Sequence, residues 1–372
     1  MKLFLLGLII LLGQVVLAQS LTVPEIPFQV VPNLLKLPPD MNLGETSGVA
    51  VNSKGHIFVF SRSNSATGPA YGAAAAQLFE FDSDGRFLRE IGKGLYAWSF
   101  AHTVRIDQDD NIWCVDKGSN MIVRFNPEGH VTMVFGRKQE ASDVAEPPRK
   151  EGPPPRPLDG MFNQPTDVAW NAQGDMFISD GYVNSRVAKI DRNGDWVKSW
   201  GEPGAGPGQF KIPHGIAVDS KGQVYVADRG NARIQVFDGD GKFLRQIVID
   251  VPVPPGTRPA IGYQAPPPPN APPGTNLTYR PGAPAAICIT PGPREVLYVA
   301  DLFPTRIYKL TLDGKVVGML GKSGKQPGRF AGVHQLACPS ENVLFTAETL
   351  NWRVQKIILQ PEGQQNPPAK SR

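Results

Sequence analysis

The sequence predicts an all-β fold: a six-bladed β-propeller with four short antiparallel strands per blade. Three observations carry this reading. A strand–turn–strand unit occurs six times, beginning at Ser47, His102, Thr166, His214, Ala285 and His334. In five copies, fourteen residues separate that first position from a polar residue ending the second strand, as in His102 to Asp116 and His214 to Asp228; Ala285 to Asp301 takes sixteen. Most copies continue into a third strand and, through a polar turn such as Asp238-Gly239-Asp240-Gly241, a fourth. One such unit cannot bury both faces, so the units must stack around an axis.

In chain order, residues 1–18 read as a signal peptide. Met1-Lys2 supplies the positive start, Leu3 to Leu12 is almost wholly apolar, and Ala18 is a small residue at the cleavage position. The run is too short for a good membrane span, so a secreted or periplasmic protein with no stable span after cleavage is expected. Residues 19–360 form the propeller. The sixth copy ends one strand short, and "FQVVPNLLKL" at 28–37 is expected to supply the missing strand. Two proline-rich insertions, 138–160 and 251–284, read as extended surface loops. The tail 361–372 lacks the apolar residues a core needs and is expected to be disordered.

Composition narrows the function. The net charge of +4, with both signs interspersed, is too weak for a nucleic-acid footprint. A monomer acting on a small anionic molecule, or on a peptide with a terminal carboxylate, is expected. Cys114, Cys288 and Cys338 all stand in strand-like runs, so each reads as a buried free thiol. Their odd number leaves at least one unpaired in any case.

The chain has five histidines, and three of them occupy one slot of the repeat: His102, His214 and His334 open blades two, four and six. The first strand of each blade lines the central channel, and alternate blades are related by about 120°. Three imidazoles therefore converge on one point. Three histidines with an open fourth position form a catalytic zinc arrangement; imidazole also suits iron and copper. His56 and His130 follow glycine in turns and read as solvated.

The second strand runs back to the same rim. The residues after its terminal slot are Arg62, Lys117, Gly181-Tyr182, Arg229, Leu302 and Thr349. Arg62 and Arg229 suit a carboxylate. Tyr182 beside a divalent cation suits proton transfer. Asp116, Asp180, Asp228 and Asp301 recur too regularly for catalysis and read as repeat residues that cap turns.

"VADRGNARIQVFD" resembles the NHL-type propeller repeat. "FNQPTDVAWNAQGDMFISDGYVNSRV", followed by "WGEPGAGPGQFKIPHGIAVDSKGQVYVADRGNARIQVF", resembles peptidyl-α-hydroxyglycine α-amidating lyase, and the resemblance covers most of residues 45–357 outside the insertions. It implies an exported zinc lyase that cleaves the N–Cα bond of a C-terminal α-hydroxyglycine into a peptide amide and glyoxylate. It also implies zinc on His102, His214 and His334, a catalytic Tyr182, and functional arginines at Arg62 and Arg229. The chain departs from the family at three positions. Gln335 replaces the aspartate that helps hold a structural calcium, which counts against that ion here; Gly332 replaces a methionine and Val183 a disulfide cysteine. Two other readings compete: a non-catalytic NHL-type binding propeller with a structural metal, and a metal-dependent hydrolase. The first has no need of the Tyr182, Arg62 and Arg229 set. The second would have only Glu348 as a carboxylate base at the rim.

Overall fold

A computed structural model describes residues 23–63, 75–138 and 157–360. Residues 1–22, which include the expected signal peptide, the tail 361–372, most of the first proline-rich insertion and the stretch soon after Arg62 lie outside the described residues.

The described chain is six four-stranded antiparallel sheets, each in simple meander order, with strands falling within 45–91, 101–135, 167–200, 213–247, 284–320 and 333–359. Phe28–Val30 completes blade six, pairing antiparallel with the last strand as Phe28↔Leu359, Gln29↔Ile358 and Val30↔Ile357. The closing strand is thus three residues long, shorter than the ten expected, because Pro32 and the turn after it end the pairing.

Burial explains the strand chemistry. The second strands Ile112–Asp116, Met176–Asp180, Val224–Asp228 and Leu297–Asp301 are buried at every position, as continuous apolar runs flanked by blades on both faces. The outer strands alternate instead; Phe243–Ile247 exposes Leu244 and Gln246. The core is six clusters, each between neighbouring blades; that between blades one and two joins Phe58 and Phe60 to Trp98 and Phe125.

The terminal residue of each second strand braces the loop that delivers the next turn of channel wall. Each accepts a hydrogen bond from the backbone N–H three residues before the first slot of its own blade. The pairs are Ser61 with Gly44, Asp116 with Ser99, Asp180 with Asn163, Asp228 with Lys211, Asp301 with Gly282 and Glu348 with Ala331, at 2.7–3.0 Å. These are the turn-capping residues the repeat predicts, and three of them fix the approach to a histidine.

The cysteine reading needs correction. Cys288 and Cys338 form a disulfide with a Cα–Cα separation of 6.2 Å, and Cys114 alone is free and buried. The two partners sit on the first strands of blades five and six, which lie side by side along the channel. A strand-like run identifies a buried cysteine but not its neighbour across the ring.

The second insertion makes no strand, yet it is more than a loop in solvent. Val251 enters the core between blades four and five beside Ile249, which precedes the insertion. The Leu277 N–H donates to the Gly230 carbonyl at 2.9 Å, and Lys211 donates to the Gly274 carbonyl. The segment folds back over the rim that carries Arg229. Among the described residues no helix is long and apolar enough to cross a membrane.

Candidate metal centre

His102, His214 and His334 converge in the channel. Their ring centroids lie 4.6–4.9 Å apart, and one ligand nitrogen from each falls within 4.8 Å of the others. Each Nδ1 faces a carbonyl from the first slot of the following blade: His102 faces Thr166 at 2.5 Å, His214 faces Ala285 at 2.6 Å and His334 faces Ser47 at 2.8 Å. A carbonyl only accepts, so Nδ1 carries the proton in all three rings and Nε2 keeps its lone pair. Burial pushes all three imidazoles well below the usual histidine range, and neighbouring imidazoles, Lys117, Arg62 and Arg229 push the same way. Three neutral imidazoles, each oriented by an outer hydrogen bond, form a donor set that fits zinc.

Tyr182 comes from the slot predicted for it. Its hydroxyl lies 3.4 Å from Nε2 of His102, 3.4 Å from Nε2 of His214 and 3.4 Å from an Arg229 terminal nitrogen. Burial raises the phenol pKa, but the charges of Arg229, Lys117 and Arg62 outweigh it and bring the group below the ordinary tyrosine range. The Lys117 ammonium stands 3.8 Å from the centroid of the Tyr182 ring. Lys117 was placed at the rim by its slot but given no role by sequence; its position over the phenol is a product of packing.

The two arginines differ. Arg62 donates to the Ala101 carbonyl at 2.9 Å and to Glu45 at 2.6 Å, and lies over the Phe100 ring. Arg229 is buried, its Nε–H has no partner, and no carboxylate among the described residues pairs with it. A buried guanidinium with an unmade hydrogen bond is costly unless an anion completes it.

Below the histidines, Gln335 spans three blades. Its Oε1 accepts from the N–H groups of Val49 at 3.2 Å and Val104 at 3.1 Å, while Nε2 donates to the Val104 carbonyl at 2.5 Å. The amide thereby occupies a backbone carbonyl that a cation would need and presents N–H groups in place of an anionic oxygen. This donor set does not fit calcium.

Sequence reasoning missed Tyr263, which the second insertion carries to the rim. Its hydroxyl lies 3.5 Å from Thr349 Oγ1, and the charges of Arg229 and Arg62 reach it. A proline-rich composition gives no sign of such a contact.

Fold and centre together define a β-propeller of NHL-type repeats whose channel gathers three imidazoles. The NHL repeat family model matches residues 210–237. Peptidylglycine alpha-amidating monooxygenase of Rattus norvegicus is 33% identical over 228 residues, covering 55% of this chain and 22% of that protein. NHL repeat-containing protein 3 of Homo sapiens is 33% identical over 218 residues, covering 55% of this chain and 56% of that protein. Peptidyl-alpha-hydroxyglycine alpha-amidating lyase 1 of Drosophila melanogaster is 24% identical over 389 residues, covering 92% of this chain and 64% of that protein. The chain therefore spans less than two thirds of each of these relatives. Among solved structures, a streptogramin B lyase aligns with a TM-score of 0.53 at 13% identity, covering 90% of this chain and 98% of that one, a likeness of fold alone. The chain is thus similar to NHL-repeat propellers and to the peptidyl-α-hydroxyglycine α-amidating lyases.

Proposed function

We propose that this protein is an exported, zinc-dependent lyase that cleaves the N–Cα bond of a C-terminal α-hydroxyglycine, giving a peptide amide and glyoxylate. The observation that carries the reading is the meeting of five groups at the head of the channel. They are three Nε2 lone pairs, the Tyr182 hydroxyl at 3.4 Å from two of them, and the unpartnered Nε–H of Arg229. The similarity to the amidating lyases supports the same class of reaction.

His102, His214 and His334 would hold the zinc, which when bound supplies a Lewis acid that lowers the pKa of the substrate hydroxyl. Arg229 binds the substrate carboxylate through the N–H the fold leaves unsatisfied. Tyr182, its phenol already acidified by Arg229, Lys117 and Arg62, takes the hydroxyl proton. The C–O bond becomes a carbonyl as the N–Cα bond breaks and its electron pair passes to the amide nitrogen. The same proton, relayed by Tyr182, neutralises that nitrogen. Atoms and charge balance without water or a redox partner. Arg62, anchored on Glu45, contributes positive field more than a free fork.

The hydrolase reading has no support in the geometry, because Glu348 is already engaged. Its oxygens accept from the Ala331 N–H, Asn351, Arg353 and Gln355. The test is direct: incubate the purified protein with an N-acyl-α-hydroxyglycine and quantify both products. Glyoxylate and amide in equal amounts are expected; turnover of esters or lactones without glyoxylate would refute the assignment.

A further inference from the structure

The rim is lopsided. Blades one to four bring Arg62, Lys117, Tyr182 and Arg229 to the chamber, whereas blades five and six bring only the neutral Leu302 and Thr349. The second proline-rich insertion covers that neutral side. A turn in which the Tyr263 N–H donates to the Ala260 carbonyl at 3.0 Å aims the Tyr263 ring inward, against Tyr279 at a centroid distance of 5.3 Å. The ring fits because position 332 is glycine. A Cβ there would lie 2.6 Å from the Tyr263 hydroxyl and 2.5 Å from Thr349 Oγ1, and the residue has φ +71°, a conformation that favours glycine. Gly332 is two residues from His334, so the phenol stands at the edge of the histidine centre.

The hydroxyl has a donor to offer. Thr349 Oγ1 directs its own proton to the Gly332 carbonyl at 3.2 Å, leaving Tyr263 only a long 3.5 Å contact with that oxygen. Burial pushes the phenol up to about 12, so it stays protonated at neutral pH. The same turn walls a second cavity of about 230 Å³, lined by Arg258, Pro259, Ala260 and Ile261 on one side and by Ser323 to Lys325 and Ala331 on the other. Ile261 at its lip is 84% exposed. The lining carries two cations and no anion.

We propose that the insertion 251–284 builds the peptide subsite of this enzyme, with Tyr263 as a specificity-determining residue. Its hydroxyl donates to a carbonyl of the peptide before the reacting residue, and the adjoining cavity admits an apolar or acidic side chain while rejecting a basic one. The inference rests on the lyase reading for the reacting group, but the subsite itself binds the rest of the peptide.

Two measurements separate the claims. The first is KM and kcat for N-acyl-X-α-hydroxyglycines with X as Leu, Asp or Lys, in wild type, Tyr263→Phe and Tyr263→Ala, each checked for an unchanged melting temperature. Leu and Asp substrates are expected to have KM values about tenfold below the Lys substrate, the scale of one charge or hydrogen-bond term. Tyr263→Phe should raise KM for all three more than it lowers kcat, and Tyr263→Ala should also narrow the ranking. An unchanged ranking and KM in both variants would overturn the proposal. The second is calorimetric binding of the matching N-acyl-X-glycines, which lack the reacting hydroxyl. If wild type releases no glyoxylate, the lyase reading fails while an X-dependent affinity weakened by Tyr263→Ala keeps the subsite; equal affinity for all X overturns the subsite alone.

Discussion

The chemistry of this chain is decided by which atom of each side chain is left over after the fold has taken its share. The Nδ1–H of each channel histidine is engaged by the next blade, so only Nε2 remains to face the axis. Arg62 is divided between Glu45 and a carbonyl, whereas Arg229 keeps a buried N–H in reserve. The two arginines therefore differ in consequence. Arg229→Gln should raise KM for a carboxylate substrate by about tenfold to a hundredfold, the weight of a charge-assisted hydrogen bond. Arg62→Gln should move KM less, and equal effects in steady-state kinetics would contradict the distinction. Tyr182→Phe keeps the ring under Lys117 but removes the proton carrier, so kcat should fall by about a hundredfold or more with little change in KM. Both arginines were legible in sequence because they share one slot of the repeat, and Tyr182 because it stands one position beyond that slot. Their unequal partnering was not, because it depends on Glu45 and on contacts between blades.

At the scale of single elements, the recurring terminal carboxylates are the clearest structural device. Asp301 accepts from the Gly282 N–H, the Arg306 N–H and the Tyr308 hydroxyl, yet burial still pushes its pKa up to about 7. Its folded pKa lies above the unfolded value, so between about pH 4 and 7 the folded state holds a proton that the unfolded state has lost. The contribution of this group to stability is therefore highest at low pH and declines as pH rises through that window. Thermal melts of wild type minus Asp301→Asn should show that decline; a flat difference from pH 4 to 7 would refute it. The closing strand gives a second test. Phe28 packs against Phe330 with ring centroids 6.3 Å apart, and Phe28–Val30 supplies the fourth strand of blade six. Deleting 28–30 should lower the melting temperature of the whole domain, and an unaltered melt would mean that the ring closes without it. The incomplete sixth repeat made this strand predictable. Its length was not, since the pairing partner lies at the far end of the chain.

For the whole molecule, repetition made the architecture readable and the ring made parts of it unreadable. Six copies of one unit specify six blades, and alternation of histidine specifies a single meeting point. The Cys288–Cys338 bond, the Gln335 bridge across blades one, two and six, and the arrival of Tyr263 at the rim all join residues that become neighbours only after closure. Removing the disulfide with Cys288→Ser and Cys338→Ser should cost about 2–4 kcal/mol by freeing a long loop in the unfolded chain. Calorimetry under non-reducing conditions would measure it, and no loss would show that the bond does not form. The central claim is that the channel holds a functional metal on three histidines. The measurement that tests it most directly is the zinc content of the purified protein beside His102→Ala, His214→Ala and His334→Ala. The account predicts about one zinc per wild-type chain, lost in each variant. Absence of stoichiometric metal from wild type after reconstitution with zinc would contradict it.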